Sequence, residues 1–310
     1  MSATGGSVAV SEEDFRVLIA RLIADQTLLS ASLENASAEL AAAGMGVIRA
    51  DLPGQVVELA CESADAGRWA EFRAVLERHF APSDMLIADH VPLIPATFVS
   101  DMDSTMISAE CIDELADYAG IKPQIAEITE RAMQGELDFA AALRERVALL
   151  AGLDESAIAQ CLAERIAPMP GAKVLVETLK AKGCRTILVT GGFHQFADPV
   201  AEQLGFERVV ANMLEIADGK LTGGLIGGIT DSGVKRAVLL EEMARAGQGT
   251  ASLATGDGAN DIPMLEAACY GIAYHAKPKA RAASHGWVDR GDLTSVLSLL
   301  GIPREEWVWE

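Results

Sequence analysis

The sequence predicts an α/β fold, in which a doubly wound parallel sheet carries a helical cap insertion and follows a small N-terminal α+β domain. Strand-like and helix-like segments alternate from about residue 93 to the end, which is the pattern of a parallel sheet with helices on both faces. A long, almost purely helical tract interrupts this alternation after its first strand. The first 90 residues have a mixed pattern of their own and predict a separate unit.

The small domain is predicted to span residues 1–92. Apolar spacing and turn residues predict three helices, at 11–23, 33–43 and 69–80. They also predict two strands, at 56–60 and 85–88. This part holds no dense cluster of catalytic side-chain types. Pro92 and Pro95 mark its junction with the rest of the chain.

The larger domain is predicted to span residues 93–310. It opens with a buried strand that ends at Ser100, and the helical tract at about 108–167 follows. An all-helical insertion at that point would lie over the strand ends as a cap. Further strands are expected at 185–189, 209–212, 251–254 and 271–274, with a hairpin at 214–222 and helices at 171–182, 197–204, 234–246 and 262–268.

Composition limits the function. The chain has 310 residues and a net charge of −20, which argues against a nucleic-acid or anionic-membrane partner because such surfaces need clustered Lys and Arg. Five scattered cysteines without a Cys-x-x-Cys pair indicate reduced thiols. We see no signal peptide and no apolar run long enough to span a bilayer, so we expect a cytoplasmic protein.

Two acidic residues follow the first strand of the larger domain. Asp101 and Asp103, with one residue between them, stand at the predicted carboxyl end of that strand, where open α/β sheets bind their ligands. Packed together, two carboxylates repel each other and raise each other's pKa. A divalent cation bound by both carboxylates is the simplest way to offset this repulsion. An EF-hand is excluded, because Thr105 and Met106 occupy the places of a calcium ligand and the turn glycine.

Two further strand ends carry polar residues. Thr190, Gly191 and Gly192 offer a hydroxyl and backbone amides that suit an oxyanion. The end of the strand predicted at 251–254 is followed by three oxygen-bearing side chains, those of Asp257, Asn260 and Asp261. Lys235 stands at the beginning of the helix that precedes this strand. Ligands for a hard cation, donors for an oxyanion and a neutralising cation together are the equipment of phosphoryl transfer.

Each fragment has a plainer interpretation when taken alone. Asp-x-Asp is most often a turn or a cap, and a single lysine is most often solvated. A dinucleotide loop is not predicted, because Asp261 stands where its third glycine belongs. The five histidines have no metal-ligand spacing, and only His194, beside the Gly-Gly turn, stays open as a functional residue. The ordered appearance of all the fragments, each after a strand, favours the catalytic interpretation.

These motifs resemble those of the haloacid-dehalogenase-type phosphatases. The resemblance covers about residues 98–292, and it includes the acidic pair, the Thr-Gly-Gly-Phe turn, Lys235 and the Gly-Asp-Gly-Ala-Asn-Asp segment at 256–261. The family often has serine where Thr190 stands, but threonine keeps the hydroxyl. Four stretches resemble the phosphoserine branch of the family: 110–114, 132–139, 143–147 and 273–278.

The resemblance implies a site and a reaction. Asp101 would be the nucleophile that forms an aspartyl-phosphate, and Asp103 the acid that protonates the leaving oxygen and then activates water. The cofactor would be Mg²⁺, held by Asp101, Asp257 and the backbone carbonyl of Asp103. The remaining expected roles are phosphate binding by Thr190, Gly191 and Lys235, support by Asn260 and Asp261, and recognition of the ammonium and carboxylate of O-phospho-L-serine by Glu110 and Arg146.

Several alternatives stay open. The same chemistry on another small phosphomonoester, or transfer to an acceptor such as homoserine, is the near rival. A phospho-accepting receiver-type signalling domain is the rival of another class, although receivers are shorter and lack a helical insertion. Relatives often carry an amino-acid-binding ACT-type module at the N-terminus. The first 92 residues are compatible with a divergent one, but packing or homodimer formation is favoured.

Overall fold

The computed structural model describes residues 16–52, 56–63, 68–133 and 136–309. In this part of the chain, one sheet of 11 strands has the order β2-β3-β1-β4-β11-β10-β9-β5-β6-β7-β8. The strands are β1 (Arg16–Ile23), β2 (Val47–Leu52), β3 (Val56–Ser63), β4 (Asp84–Ala88), β5 (Thr97–Ser100), β6 (Arg185–Phe193), β7 (Arg208–Ala217), β8 (Lys220–Ile226), β9 (Ser252–Gly256), β10 (Tyr270–Tyr274) and β11 (Gly286–Val288).

Twelve α-helices lie within the same described ranges. They are α1 (Leu29–Ala42), α2 (Trp69–Phe80), α3 (Cys111–Tyr118), α4 (Lys122–Met133), α5 (Phe139–Ala148), α6 (Ser156–Arg165), α7 (Ala172–Ala181), α8 (His194–Leu204), α9 (Ser232–Ala246), α10 (Ile262–Ala267), α11 (Pro278–Ala283) and α12 (Thr294–Leu299). Helices α3 to α6 follow β5 without an intervening strand, so the predicted helical insertion is present.

The central strands form the doubly wound parallel sheet that the sequence predicts. The parallel pairs run from β11 through β10, β9, β5 and β6 to β7, and β7 and β8 form the predicted antiparallel hairpin. Successive residues of a strand face opposite sides. Phe98 therefore packs into a core cluster with α7, α8 and α12, whereas Val99 packs into a second cluster with α9, α10 and α11.

The N-terminal elements form a βαββαβ unit with the strand order β2-β3-β1-β4. All three pairings are antiparallel, so the unit has the ferredoxin-like arrangement within the α+β class. A core cluster between this sheet and α1 and α2 contains Leu22, Leu40 and Phe72, each fully buried.

The helix predicted at 11–23 is wrong where the structure describes it, because residues 16–23 form β1; residues 11–15 lie outside the described residues. Apolar residues at 18, 19, 22 and 23 fit helical spacing as well as a buried strand. β1 pairs with β3 on one side and β4 on the other, and both Leu18 and Ile19 are buried. A central strand covered on both faces loses the polar alternation by which a strand is recognised.

The N-terminal unit and the parallel sheet are continuous, because β4 pairs with β11 in antiparallel register. The fully buried Asp84, at the start of β4, reinforces the junction. Its carboxylate accepts backbone N–H groups from Asp289, Arg290 and Gly291 at 2.8–3.3 Å, and the hydroxyl of Ser295 at 2.9 Å. The predicted boundary between residues 92 and 93 stays a prediction, since the sheet extends across it.

Replacing this carboxylate tests the junction. Asp84→Asn is expected to lower the free energy of unfolding by about 1–3 kcal/mol, because the amide nitrogen cannot accept the hydrogen bonds of Oδ2. Urea denaturation measures the loss. Ser295→Ala removes only one of the bonds and should cost about 1 kcal/mol. If Asp84→Asn unfolds at the wild-type urea concentration, the carboxylate does not stabilise the junction.

Candidate active site

Three neighbouring strands bring the predicted polar residues to one edge of the sheet. β5 lies between β6 and β9, and all three are parallel, so their carboxyl ends meet. A cavity of about 340 Å³ opens there. Its lining includes residues from all three strand ends, from the cap and from the segment after β10, namely Asp101, Asp103, Glu110, Arg146, Thr190, Gly191, Asp257, Asn260 and Lys277.

Asp101 is buried at the floor of this cavity and is held in a fixed orientation. Its Oδ1 lies 2.7 Å from Lys235 Nζ and accepts the backbone N–H of Met102 at 2.7 Å. Asn260 Nδ2 donates to the other oxygen, Oδ2, at 3.5 Å. Burial raises the pKa of Asp101, the nearby Asp261 adds to the rise, and the Lys235 ammonium opposes it.

Lys235 lies beneath the cavity floor rather than in its lining. It is 1% exposed and bridges Asp101 and Asp261, with Nζ 2.8 Å from Asp261 Oδ1. Burial alone would lower the pKa of this lysine, but the two carboxylates outweigh burial and raise it. Lys235 therefore stays charged. Lys235 holds the carboxylate of Asp101, and its expected role in phosphate binding stays a prediction.

Asp261 is fully buried and all its hydrogen bonds are directed inward. Oδ2 accepts the backbone N–H groups of Asp257 at 3.2 Å and of Gly258 at 3.0 Å. This geometry requires glycine at position 256, because a Cβ there would lie 2.4 Å from Asp261 Cγ. Asp261 thus orders both the Asp257 loop and Lys235.

Three carboxylates form a group that is able to hold a metal ion. Asp101, Asp257 and Asp261 each place one oxygen within 4.8 Å of the others, and all three residues are buried. Burial raises the pKa of Asp257, partly offset by Lys277. One buried ammonium cannot neutralise three buried carboxylates, and oxygen donors are the ligands that hard divalent cations prefer. The residues present therefore fit a divalent cation.

Asp103 lines the cavity in the segment between β5 and the cap. Its Oδ1 accepts the backbone N–H of Cys111, the first residue of α3, at 3.2 Å. Burial, together with the nearby Glu110 carboxylate, raises the pKa of Asp103 to about 7. A carboxyl with such a pKa is able to give and take a proton near neutral pH.

The carboxyl end of β6, the Thr-Gly-Gly-Phe segment at 190–193 that we call the oxyanion turn, forms the second wall. Thr190 is buried, and its Oγ1 accepts the backbone N–H of Gly192 at 2.9 Å. Asn212 fixes this turn, because its Nδ2 donates to the Gly191 carbonyl at 2.7 Å while its Oδ1 accepts the N–H of Thr230 at 2.8 Å. Sequence reasoning missed this role of Asn212. A polar residue inside an otherwise apolar strand was the available signal.

Two cap residues face the strand ends. Glu110 is the residue just before α3, and its Oε1 accepts the hydroxyl of Ser104 at 3.0 Å. Ser104 has φ +56°, an uncommon conformation for serine and one that is often found at functional sites. Arg146, on α5, donates from Nε to the Ala142 carbonyl at 3.4 Å. Ser104 is a second residue that the sequence did not single out.

Some predicted positions lie outside this cavity or outside the described residues. The histidine left open, His194, lies outside the cavity lining and contacts Asp198 at 2.8 Å. Residues 134 and 135 of the cap motif lie outside the described residues. A larger cavity of about 630 Å³ lies between the N-terminal unit and the segments that precede β10 and β11, lined in part by Trp69, His90 and His285. It contains none of the predicted site residues.

Comparison with known proteins agrees with this geometry. Residues 98–266, more than half of the chain, match the family model of haloacid dehalogenase-like hydrolases. The chain belongs to this hydrolase family. The phosphoserine phosphatase of Streptomyces coelicolor is 48% identical over 209 residues, which is 67% of this chain and 51% of that protein. The chain therefore spans about half the length of that relative.

Two solved structures extend the comparison. A probable phosphoserine phosphatase from Vibrio cholerae is 33% identical, with a TM-score of 0.70, and the match covers 94% of this chain and 88% of that one. A phosphoserine phosphatase solved as a phospho-aspartyl intermediate analogue is 35% identical, with a TM-score of 0.60, and covers 66% of this chain and 98% of that one. Within the described residues, no helix has the length and apolar character needed to cross a membrane.

Proposed function

We propose that this hydrolase is a phosphoserine phosphatase, which releases L-serine and phosphate from O-phospho-L-serine in the last step of serine biosynthesis. The observation that carries the proposal is one cavity that joins the buried Asp101 and its oxyanion turn to Glu110 and Arg146 of the cap. The relatives named above, two phosphoserine phosphatases and one probable phosphoserine phosphatase, support the same substrate.

The cofactor of this proposal is Mg²⁺, which Asp101, Asp257 and the backbone carbonyl of Asp103 would hold. Asp261 supports the site, because Oδ1 accepts a hydrogen bond from Lys235 and Oδ2 accepts the backbone N–H groups of Asp257 and Gly258. When bound, Mg²⁺ offsets the repulsion between the carboxylates and the phosphate dianion. Removal of divalent ions by EDTA is expected to stop turnover, and added Mg²⁺ to restore it.

The reaction begins with Asp101. Lys235 and the Met102 amide hold Oδ1, which leaves Oδ2 as the attacking atom. Oδ2 forms a bond to phosphorus as the bond to the serine oxygen breaks, and Asp103 donates its proton to that oxygen. Thr190 and the amide of Gly191 stabilise the transferred phosphoryl oxygens, supported by Asn260.

The second half-reaction regenerates the enzyme. Asp103, now a carboxylate, accepts a proton from water, whose oxygen attacks the phosphorus and displaces Asp101 as a carboxylate. The pKa of about 7 lets Asp103 serve as acid first and base afterwards. Phosphate then leaves, and both aspartates return to their starting states.

The cap selects the amino acid. Glu110 pairs with the substrate ammonium and is oriented by Ser104. Arg146 pairs with the substrate carboxylate. It is half-buried, and among the described residues it has no carboxylate within 4 Å. A guanidinium without such a partner can bind a carboxylate through two parallel hydrogen bonds.

A panel of phosphate esters tests the proposal. Phosphate release is measured with Mg²⁺ from O-phospho-L-serine, O-phospho-L-threonine, p-nitrophenyl phosphate and glycerol phosphate, with and without homoserine as an acceptor. We expect the highest kcat/KM for O-phospho-L-serine. A preferred ester without an amino-acid moiety, or transfer to homoserine faster than hydrolysis, would overturn the assignment.

Arg146→Ala separates recognition from chemistry. We expect kcat/KM for O-phospho-L-serine to fall about 100-fold or more, because a buried charged hydrogen-bond pair is lost, whereas p-nitrophenyl phosphate should lose less than about threefold. Arg144→Ala, an exposed arginine on the same helix, is the matched control and should change neither value. Equal losses for both substrates would exclude a role in binding the carboxylate.

Location and assembly follow from the same assignment. A cytoplasmic enzyme agrees with the five cysteines, all of which are free thiols. The small-molecule substrate requires no macromolecular partner. For the N-terminal unit, packing or homodimer formation remains the favoured expectation, and a divergent ACT-like amino-acid site is the alternative. Light scattering and calorimetric titration with serine test the two separately.

A further inference from the structure

Lys277 lies at the mouth of the active site and contacts a carboxylate of the metal-binding group. Its backbone N–H donates to the Asp257 carbonyl at 2.9 Å, and its Nζ lies 3.2 Å from Asp257 Oδ2. Pro278 follows directly and begins α11, so the Lys277 backbone is extended and held in place. The side chain therefore pivots from a fixed point beside Asp257.

Lys277 differs from the other cations of the site in its exposure. Its side chain is 62% exposed, whereas that of Asp257 is 10% exposed and Lys235 is almost fully buried. Water can hydrate an exposed ammonium that leaves its partner, so release of Lys277 costs little free energy. Lys235 has no such freedom because it lies between two buried carboxylates.

Lys277 and a divalent cation therefore compete for the carboxylate of Asp257. Asp257 belongs to the carboxylate group that fits a divalent cation, and Lys277 lies on one of its two oxygens. Two cations that share one carboxylate repel each other, and the exposed one can move away. The cavity that Lys277 also lines must accept an anionic substrate, in a protein whose net charge is −20.

We propose that Lys277 is an exchangeable cation: it pairs with Asp257 in the metal-free protein, yields Asp257 when a divalent cation binds, and then faces the incoming phosphate dianion. The last part rests on the proposed function, whereas the competition for Asp257 does not. A lysine stem of several rotatable bonds suits this exchange, because the ammonium has no fixed orientation to lose.

Calorimetric titration of EDTA-treated protein with MgCl₂ tests the competition without substrate. Lys277→Met should bind Mg²⁺ about two- to fivefold more tightly than wild type, because an exposed competing charge is removed. Lys277→Arg should bind Mg²⁺ like wild type. Lys279→Met makes the same change on an exposed lysine outside the cavity lining, and should also leave Mg²⁺ affinity unchanged. Unchanged or weaker Mg²⁺ binding by Lys277→Met would overturn the competition.

Steady-state kinetics at saturating Mg²⁺ test the second part. Lys277→Met should raise KM for O-phospho-L-serine about threefold or more, leave kcat within about twofold, and weaken the dependence of kcat/KM on ionic strength. Lys277→Arg should restore KM. An unchanged KM and salt dependence would overturn the role toward substrate. If wild-type protein does not hydrolyse O-phospho-L-serine, the proposed function fails, and the Mg²⁺ titration still decides the competition.

Discussion

Asp101→Asn is expected to reduce phosphate release by at least about 10⁴-fold, because the amide oxygen that replaces Oδ2 is a poor nucleophile. Asparagine has nearly the same shape, and Asp101 is buried against Lys235 and Met102, so the site geometry should be kept. The rate is measured with O-phospho-L-serine and Mg²⁺. Acid quenching followed by mass spectrometry should find a phosphorylated aspartate in wild type and none in the variant.

The thermal midpoint is the control for this substitution. It should remain close to that of wild type, which shows that the lost rate reflects lost chemistry. Wild-type turnover by Asp101→Asn would show that Asp101 is not the nucleophile. A phosphorylated residue found elsewhere in the chain would do the same.

Lys235→Met is expected to have the largest effect on stability. Removal of the ammonium leaves two buried carboxylates, Asp101 and Asp261, without a countercharge, and breaking such a buried pair costs about 3–5 kcal/mol. Urea denaturation at neutral pH measures this loss. Turnover should also fall about 100-fold or more, because Asp101 is no longer held for attack.

Two variants control this prediction. Lys279→Met removes an exposed lysine and should change the free energy of unfolding by less than about 0.5 kcal/mol. The double variant Lys235→Met/Asp261→Asn should recover part of the lost stability, since only one unpaired carboxylate remains. If Lys235→Met unfolds like wild type, the buried ion pairs do not stabilise the fold.

The parallel sheet could be predicted because its strands end in strong local signals. Apolar runs followed by Asp101, Thr190 or Asp257 mark the carboxyl ends of three strands, and the purely helical tract between the first two predicts the cap. Short-range patterns of this kind survive in any fold that buries them. The acidic pair indicates a cation in the same way, because two carboxylates so close in the sequence repel each other when they are packed together.

The N-terminal unit was harder to predict for a physical reason. β1 is a central strand with both faces covered, so its apolar residues lack the alternation of a half-exposed strand and imitate a helix. β2 was missed because it is an edge strand with exposed residues, among them Ile48 and Arg49. Only pairing with β3 defines it as a strand.

By itself, the sequence determined the fold class, the family and the residue types of the site, because these depend on motifs within a few positions of one another. Tertiary structure alone decided that Lys235 holds Asp101 from beneath, that Asn212 fixes the oxyanion turn, and that Lys277 shares Asp257 with the cation position. These contacts join residues 20 to about 130 positions apart. No local pattern encodes such distances, since they are set by the register and order of the strands.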